Sequence, residues 1–272
     1  MPENKKVKWM HPGIKAWTAL LLSLFLLFGS VCQAAASPHV PGLANDTINI
    51  LLVGNSYTEH NNLSETLQKI CTSKGRKVKV TAVTKGGACL ADFAAKNTAE
   101  GKKLRTLLRK QSWDYVVLQE RHYYPLTNIA DMKKAVCTLK PCIEKAGAQM
   151  ALYMTWAPAK GHTDYKKYKS LVKNRAEYQK KIAQAYEYVA DRTGALVIPV
   201  GIAFQNAQKQ SSVPGLIQKD NYHPTKYGSY LAACTIYAAL FDNSPAGAST
   251  GKLNKAKAGK LQRISWSTWR EY

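Results

Sequence analysis

The sequence predicts an α/β fold, with a parallel sheet of about five strands and helices on both faces. Two observations carry this prediction. Short apolar runs alternate with helical segments along the chain, and the best-defined run is apolar throughout rather than alternating with polar residues. That run extends from Ile48 to Val53, is interrupted only by Asn49 and is closed by Gly54. Rich in β-branched residues, it reads as a strand buried on both faces, as in parallel sheets. Parallel neighbours need right-handed crossovers, and intervening helices supply them.

The elements follow in order. From Glu59 onward, Leu63, Leu67 and Ile70 recur at helical spacing, so Ser56 sits in a tight turn between the first strand and the first helix. Val78 to Val83 reads as a second strand leading into Gly86-Gly87, and Leu104, Leu107 and Leu108 mark the next helix. Tyr115 to Leu118 is a third strand, followed by Gln119-Glu120-Arg121-His122 and a helix from about Ile129 to Ala146. Met150 to Met154 is a fourth strand ending in Thr155-Trp156-Ala157-Pro158, and Tyr165 to Thr193 is helical in composition. A fifth strand spans Ala195 to Val200, and Tyr227, Leu231 and Ile236 begin an apolar helix. The segment 245–272 opens as a Gly/Ala/Ser/Lys-rich linker, then brings Ile264, Trp266 and Trp269 to dock on the domain.

Residues 1–36 carry a basic start (Lys5, Lys6, Lys8, Lys15), an apolar stretch from Ala19 to Phe28 and Ala34-Ala35-Ala36 as a small-residue cleavage site. This is the pattern of a secretory signal peptide, with an apolar core shorter than the roughly 20 residues that span a bilayer. The expectation is an exported protein, with one α/β domain over 37–244. Cys32 invites lipid anchoring, but Val31 before it is bulkier than lipoprotein processing accepts. The four lysines and one glutamate of that segment leave 35 basic and 16 acidic residues, a net charge of +19. The basic residues are scattered and lack an aromatic-interleaved binding motif, which argues for a solvated surface with weak contact to anionic surfaces and against a nucleic-acid partner. Cys71, Cys89, Cys137, Cys142 and Cys234 are odd in number and show no zinc-ligand spacing. Cys137 and Cys142 would bridge only if the helix ends between them; the other reading is buried thiols.

A serine hydroxyl is a poor nucleophile until a base takes its proton, and the base works best when a carboxylate fixes its tautomer. Asp220 and His223 supply both groups three residues apart, with Pro224 holding the loop. Together with Gly54-Asn55-Ser56 at the end of the first strand, a glycine after the second and a polar amide after the third, this Asp-x-x-His-Pro before the last helix resembles the SGNH (GDSL-like) hydrolases, and in particular their carbohydrate-esterase branch. The resemblance covers most of residues 47–241. It implies a flavodoxin-like strand order, with Ser56 as nucleophile, His223 as base and Asp220 as its orienter.

Acyl transfer concentrates charge on the carbonyl oxygen, and each fixed donor aimed there contributes roughly 3 to 4 kcal/mol. The candidate donors are the Ser56 backbone, Gly86 or Gly87, and the Gln119 side chain. The chain departs from the family at two points. Asn55 stands where Asp usually precedes the serine, and Gln119 stands where a Gly-x-Asn-Asp motif supplies an Asn donor. Tyr123, Tyr124 and Trp156, all beyond strand ends, and His122 are candidate substrate contacts, since aromatics there suit sugar rings or acyl chains. The expected activity is removal of acetyl or other short acyl groups from carbohydrate, with no metal or organic cofactor implied. A lipase or thioesterase of the same fold, and an inactive glycan-binding module, are the other readings.

Overall fold

The computed structural model describes residues 47–272; the expected signal peptide, its cleavage site and Cys32 lie outside the described residues. The strands are β1 (Ile48–Gly54), β2 (Val78–Thr84), β3 (Tyr115–Leu118), β4 (Gln149–Tyr153) and β5 (Leu196–Ile198). They form one sheet in the order β2-β1-β3-β4-β5, parallel throughout, so the flavodoxin-like order is borne out. The helices are α1 (Ser56–Glu59), α2 (Leu63–Ser73), α3 (Leu90–Ala94), α4 (Ala99–Lys110), α5 (Tyr124–Thr127), α6 (Ile129–Lys145), α7 (Asp164–Lys167), α8 (Arg175–Thr193), α9 (Val200–Gln208), α10 (Lys226–Phe241) and α11 (Lys255–Glu271).

Successive strand side chains point to opposite faces, and the central strands feed two cores. Leu51, Val53, Val116, Leu118 and Leu152 pack beneath α3, α4, α6 and α8; Ile50, Leu52, Val117, Ala151 and Tyr153 pack beneath α2, α9, α10 and α11. These are the three expected layers. Helix α10 is buried on every side, from Gly228 to Leu240. Its outer surface is covered by the face of α11 that carries Ala258, Leu261, Ile264 and Thr268, while Trp266 and Trp269 flank that face only partly buried. Trp269 reaches the end of α10, where its indole N–H donates to Asp242.

Two expectations are corrected. The helical stretch from Tyr165 to Thr193 is two helices, because the Asn174 side chain accepts from the Glu177 N–H and starts α8 afresh there. Such a cap competes with helix continuing through it. Helix α6 runs unbroken through Pro141, so Cys137 and Cys142 lie five residues apart on one helix and are unbridged; all five cysteines among the described residues are free thiols.

Candidate active site

Open α/β sheets present ligands at the carboxyl ends of their strands, and the site assembles there around the turn that leaves β1. Asn55 caps α1: its side-chain oxygen accepts from the Tyr57 N–H at 3.1 Å and its amide donates to Ala88 O at 2.9 Å, tying this turn to the loop after β2. Ser56 follows as the first residue of α1. Two asparagines then adopt left-handed backbone, Asn61 at φ 57° and Asn62 at φ 53°. Asparagine tolerates that region, and the resulting kink separates α1 from α2. It also aims the Asn61 amide at Pro224 O and Ser229 Oγ, at 3.0 and 2.9 Å, so the serine turn is fastened to the histidine loop.

Across this fastening, His223 Nε2 lies 2.9 Å from Ser56 Oγ, and His223 Nδ1 lies 2.7 Å from Asp220 Oδ2. The carboxylate places the proton on Nδ1 and leaves the Nε2 lone pair for the serine hydroxyl. Asp220 Oδ1 accepts from the N–H groups of Tyr222 and His223. Partial burial works against its charge, yet these hydrogen bonds, with that of the His223 ring, hold the Asp220 carboxyl below its usual range. The loop is held from behind as well: the Trp156 indole N–H donates to Tyr222 O, and the Ala159 N–H donates to Asn221 O. The His60 ring packs against His223 with centroids 4.2 Å apart.

Between the serine and the loop after β2, Lys85 O accepts from the Ala88 N–H and closes a turn around Gly86-Gly87. Gly87 has φ +69°, a left-handed conformation that glycine adopts without strain. Among the described residues, the backbone N–H groups of Ser56, Gly86 and Gly87 take part in no hydrogen bond, and all three residues line one cleft of about 560 Å³. Tyr57, His60, Arg121, His122, Tyr123, Tyr222 and His223 complete most of its wall.

Three sequence-predicted residues stand elsewhere. The Gln119 side chain is buried beneath the serine turn: its Oε1 accepts from the Asn55 N–H and the Thr58 hydroxyl, each at 2.9 Å, and its amide donates to Glu120 O. Because the Asn55 N–H demands an acceptor, the amide cannot be turned the other way. Gln119 is therefore a strut behind the nucleophile rather than a donor facing the cleft. Trp156 is likewise internal, stacked between Tyr57 and Phe204 at 4.3 and 4.0 Å. Tyr124 lies outside the cleft lining, behind Arg121, whose guanidinium carbon is 5.2 Å from its ring centre. Tyr123 and His122 do line the cleft.

Gly54, at the end of β1, shows how tightly the strut fits. A Cβ there would lie 2.6 Å from Thr58 Oγ1 and overlap Gln119 Oε1. Gly54→Ala is expected to destabilise the protein by about 1 to 3 kcal/mol, the usual cost of overpacking. A urea denaturation midpoint equal to that of the parent protein would refute the fit.

Polar residues that the sequence reading did not single out also gather here. Asp164 Oδ2 accepts from the Tyr178 hydroxyl at 2.8 Å and lies 3.1 Å from His122 Nε2, while His162 Nδ1 accepts from the Asp164 N–H. Burial opposes the charge, but the hydrogen bonds from His122 and Tyr178 keep the Asp164 carboxyl below its ordinary range. The donor atoms of His122, His162 and Asp164 lie within 4.8 Å of one another, a set of types that can hold a divalent cation. Here the three bind one another, so they also read as a self-satisfied network.

Glu120 is buried, and burial pushes its carboxyl up to about 7 even though it accepts from the N–H groups of Leu90 and Arg121. A folded-state pKa raised above the ordinary 4.5 means that the folded protein keeps a proton which the unfolded chain has released. This contribution to stability is complete below pH 4.5 and is lost as pH rises to about 7. Glu120→Gln is expected to remove that decline, which amounts to roughly 3 kcal/mol across the window. Denaturation at a series of pH values checks it, and parallel curves for the two proteins would rule it out.

The family described as "Domain of unknown function (DUF4886)" matches residues 94–249. No curated protein matches the chain. Among solved structures, a protein from Slackia heliotrinireducens described as a candidate SGNH hydrolase is 28% identical, with a TM-score of 0.64 over 72% of this chain and 100% of that one. A DUF4886 family protein from Bacteroides uniformis ATCC 8492 is 21% identical, with a TM-score of 0.71 over 82% and 95% of the two chains. An acetyl xylan esterase shares the fold at 14% identity and a TM-score of 0.51, over 71% and 100%. The expected resemblance to SGNH hydrolases is borne out by these neighbours.

Proposed function

Starting from the chain's membership of the DUF4886 family, we propose that it is a serine esterase of SGNH type that removes acetyl or other short acyl groups from carbohydrate. The observation that carries the reading is the unbroken relay from Asp220 through His223 to Ser56, with contacts of 2.7 and 2.9 Å. Ser56 Oγ attacks the ester carbonyl while His223 Nε2 takes its proton. The charge that forms on the carbonyl oxygen is received by the free N–H groups of Ser56 and the Gly86-Gly87 turn. His223 then protonates the departing alcohol, and water, activated by the same imidazole, releases the acyl group from Ser56.

Two features of the cleft favour a short acyl group on a sugar over a lipid substrate. Among the described residues no aliphatic side chain lines it, so these walls offer no apolar channel for a long chain. Tyr123 and Tyr222 supply aromatic rings of the kind that pack on sugar rings. Export of the protein, argued from residues 1–36, belongs to the same proposal, since polymeric glycan substrates lie outside the cell.

A fluorophosphonate probe is expected to label the protein once, at Ser56. Acetylated methyl glycosides are expected to be hydrolysed with higher kcat/KM than p-nitrophenyl esters of eight or more carbons. Preference for the long chains would favour the lipase reading, and failure to label would favour an inactive glycan-binding module.

A further inference from the structure

Among the described residues, Arg121 is the one lysine or arginine lining the cleft. Among the described residues it takes part in no ion pair, whereas Lys85, next to Gly86 in the chain, pairs with Glu100. Two aromatic rings stand beside the cation: the guanidinium carbon lies 5.8 Å from the Tyr123 ring centre and 5.2 Å from that of Tyr124. Its edges are nearly unused. Nη1 donates once, to the Tyr123 hydroxyl at 3.1 Å, leaving the Nε–Nη2 edge as an open fork. Nη2 points toward the glycine turn, where it stands 3.9 Å from the position a Gly87 Cβ would occupy. Asp164, the one carboxylate among the lining residues, is already held by His122 and Tyr178 and does not neutralise it.

A guanidinium fork matches a carboxylate in a planar, bidentate arrangement that neither a hydroxyl nor a lysine reproduces. An unpaired cation kept partly out of water in the cleft that Ser56 lines has a strong preference for an anionic partner over a neutral one. We propose that Arg121 is a specificity-determining residue that binds a carboxylate on the substrate, so that the preferred substrate is an acylated sugar acid rather than a neutral acylated sugar. This deepens the esterase reading and rests on it for the word substrate; the anion subsite itself does not need the hydrolysis.

Two measurements separate the claims. With the Ser56→Ala protein, calorimetric titration of methyl glucuronoside and methyl glucoside is expected to give about 10- to 100-fold tighter binding of the acid, the range for hydrogen bonds to a charged group. Arg121→Gln in the same background is expected to abolish the difference, and Arg121→Lys to restore part of it. With active protein, the ratio of kcat/KM for acetylated methyl glucuronoside over acetylated methyl glucoside is expected to fall at least about tenfold in Arg121→Gln. Equal binding of acid and neutral sugar, or a kinetic ratio that the substitution leaves unchanged, would overturn the proposal. If neither ester is hydrolysed while the binding preference still depends on Arg121, the esterase reading falls and the anion subsite stands.

Discussion

Ser56→Ala is expected to lower kcat/KM for an acetyl ester by about 10⁴- to 10⁶-fold while leaving the fold intact. The magnitude follows from the geometry. Among the described residues the serine hydroxyl is the only group that meets His223 Nε2 in a hydrogen bond, and in the proposed mechanism the other parts of the relay have no use without it. What survives is the modest catalysis expected of the backbone donors of Ser56 and the Gly86-Gly87 turn acting on a bound ester with water as the nucleophile. The fold is spared because Ser56 Oγ faces the cleft and bonds no residue but His223. Kinetics with an acetylated sugar, together with a melting curve, check both halves. Residual activity above about one per cent of the parent would remove Ser56 from the mechanism.

Gln119→Ala is expected to act in the opposite way, with its primary effect on stability. The substitution leaves the Asn55 N–H, the Thr58 hydroxyl and Glu120 O without their present partner inside the protein. An orphaned buried polar group costs about 1 to 3 kcal/mol, and the cavity left by the side chain adds to that, so a loss of roughly 3 to 6 kcal/mol is expected. Were Gln119 an oxyanion donor, the same substitution would leave stability nearly unchanged and cut kcat by about 10²- to 10³-fold. Urea denaturation and kcat measured on the folded fraction distinguish the two. An unaltered denaturation midpoint with a large fall in kcat would restore Gln119 to the oxyanion hole.

The difference between these residues shows what was legible in the sequence. The layering follows from properties that survive being read in one dimension: the apolar run of β1, its β-branched content, and the helical spacing of Leu63, Leu67 and Ile70; the strand order came from the family resemblance. Asp220 and His223 were legible because three residues of separation and a following proline confine them to one turn, and Ser56 because it ends a buried strand. Gln119 occupies the sequence position expected of a donor, but the direction of its amide is set by the Asn55 N–H from another segment, and no local pattern records that. Trp156 was misread for the same reason: its aromatic character suits a sugar contact, yet Tyr57 and Phe204 claim both of its faces. Arg121 passed unnoticed because it is one of 39 basic residues, and only the fold reveals that it lacks a carboxylate partner.

The match to the family ends at residue 249, whereas α11 extends to Glu271 and provides the lid over α10. Because α10 begins two residues after Pro224, the seat of the His223 imidazole depends on a helix that the family boundary leaves out. A unit excised, fused or transplanted from this protein should therefore be drawn to the end of α11. A border at 249 would divide a folding core rather than a linker.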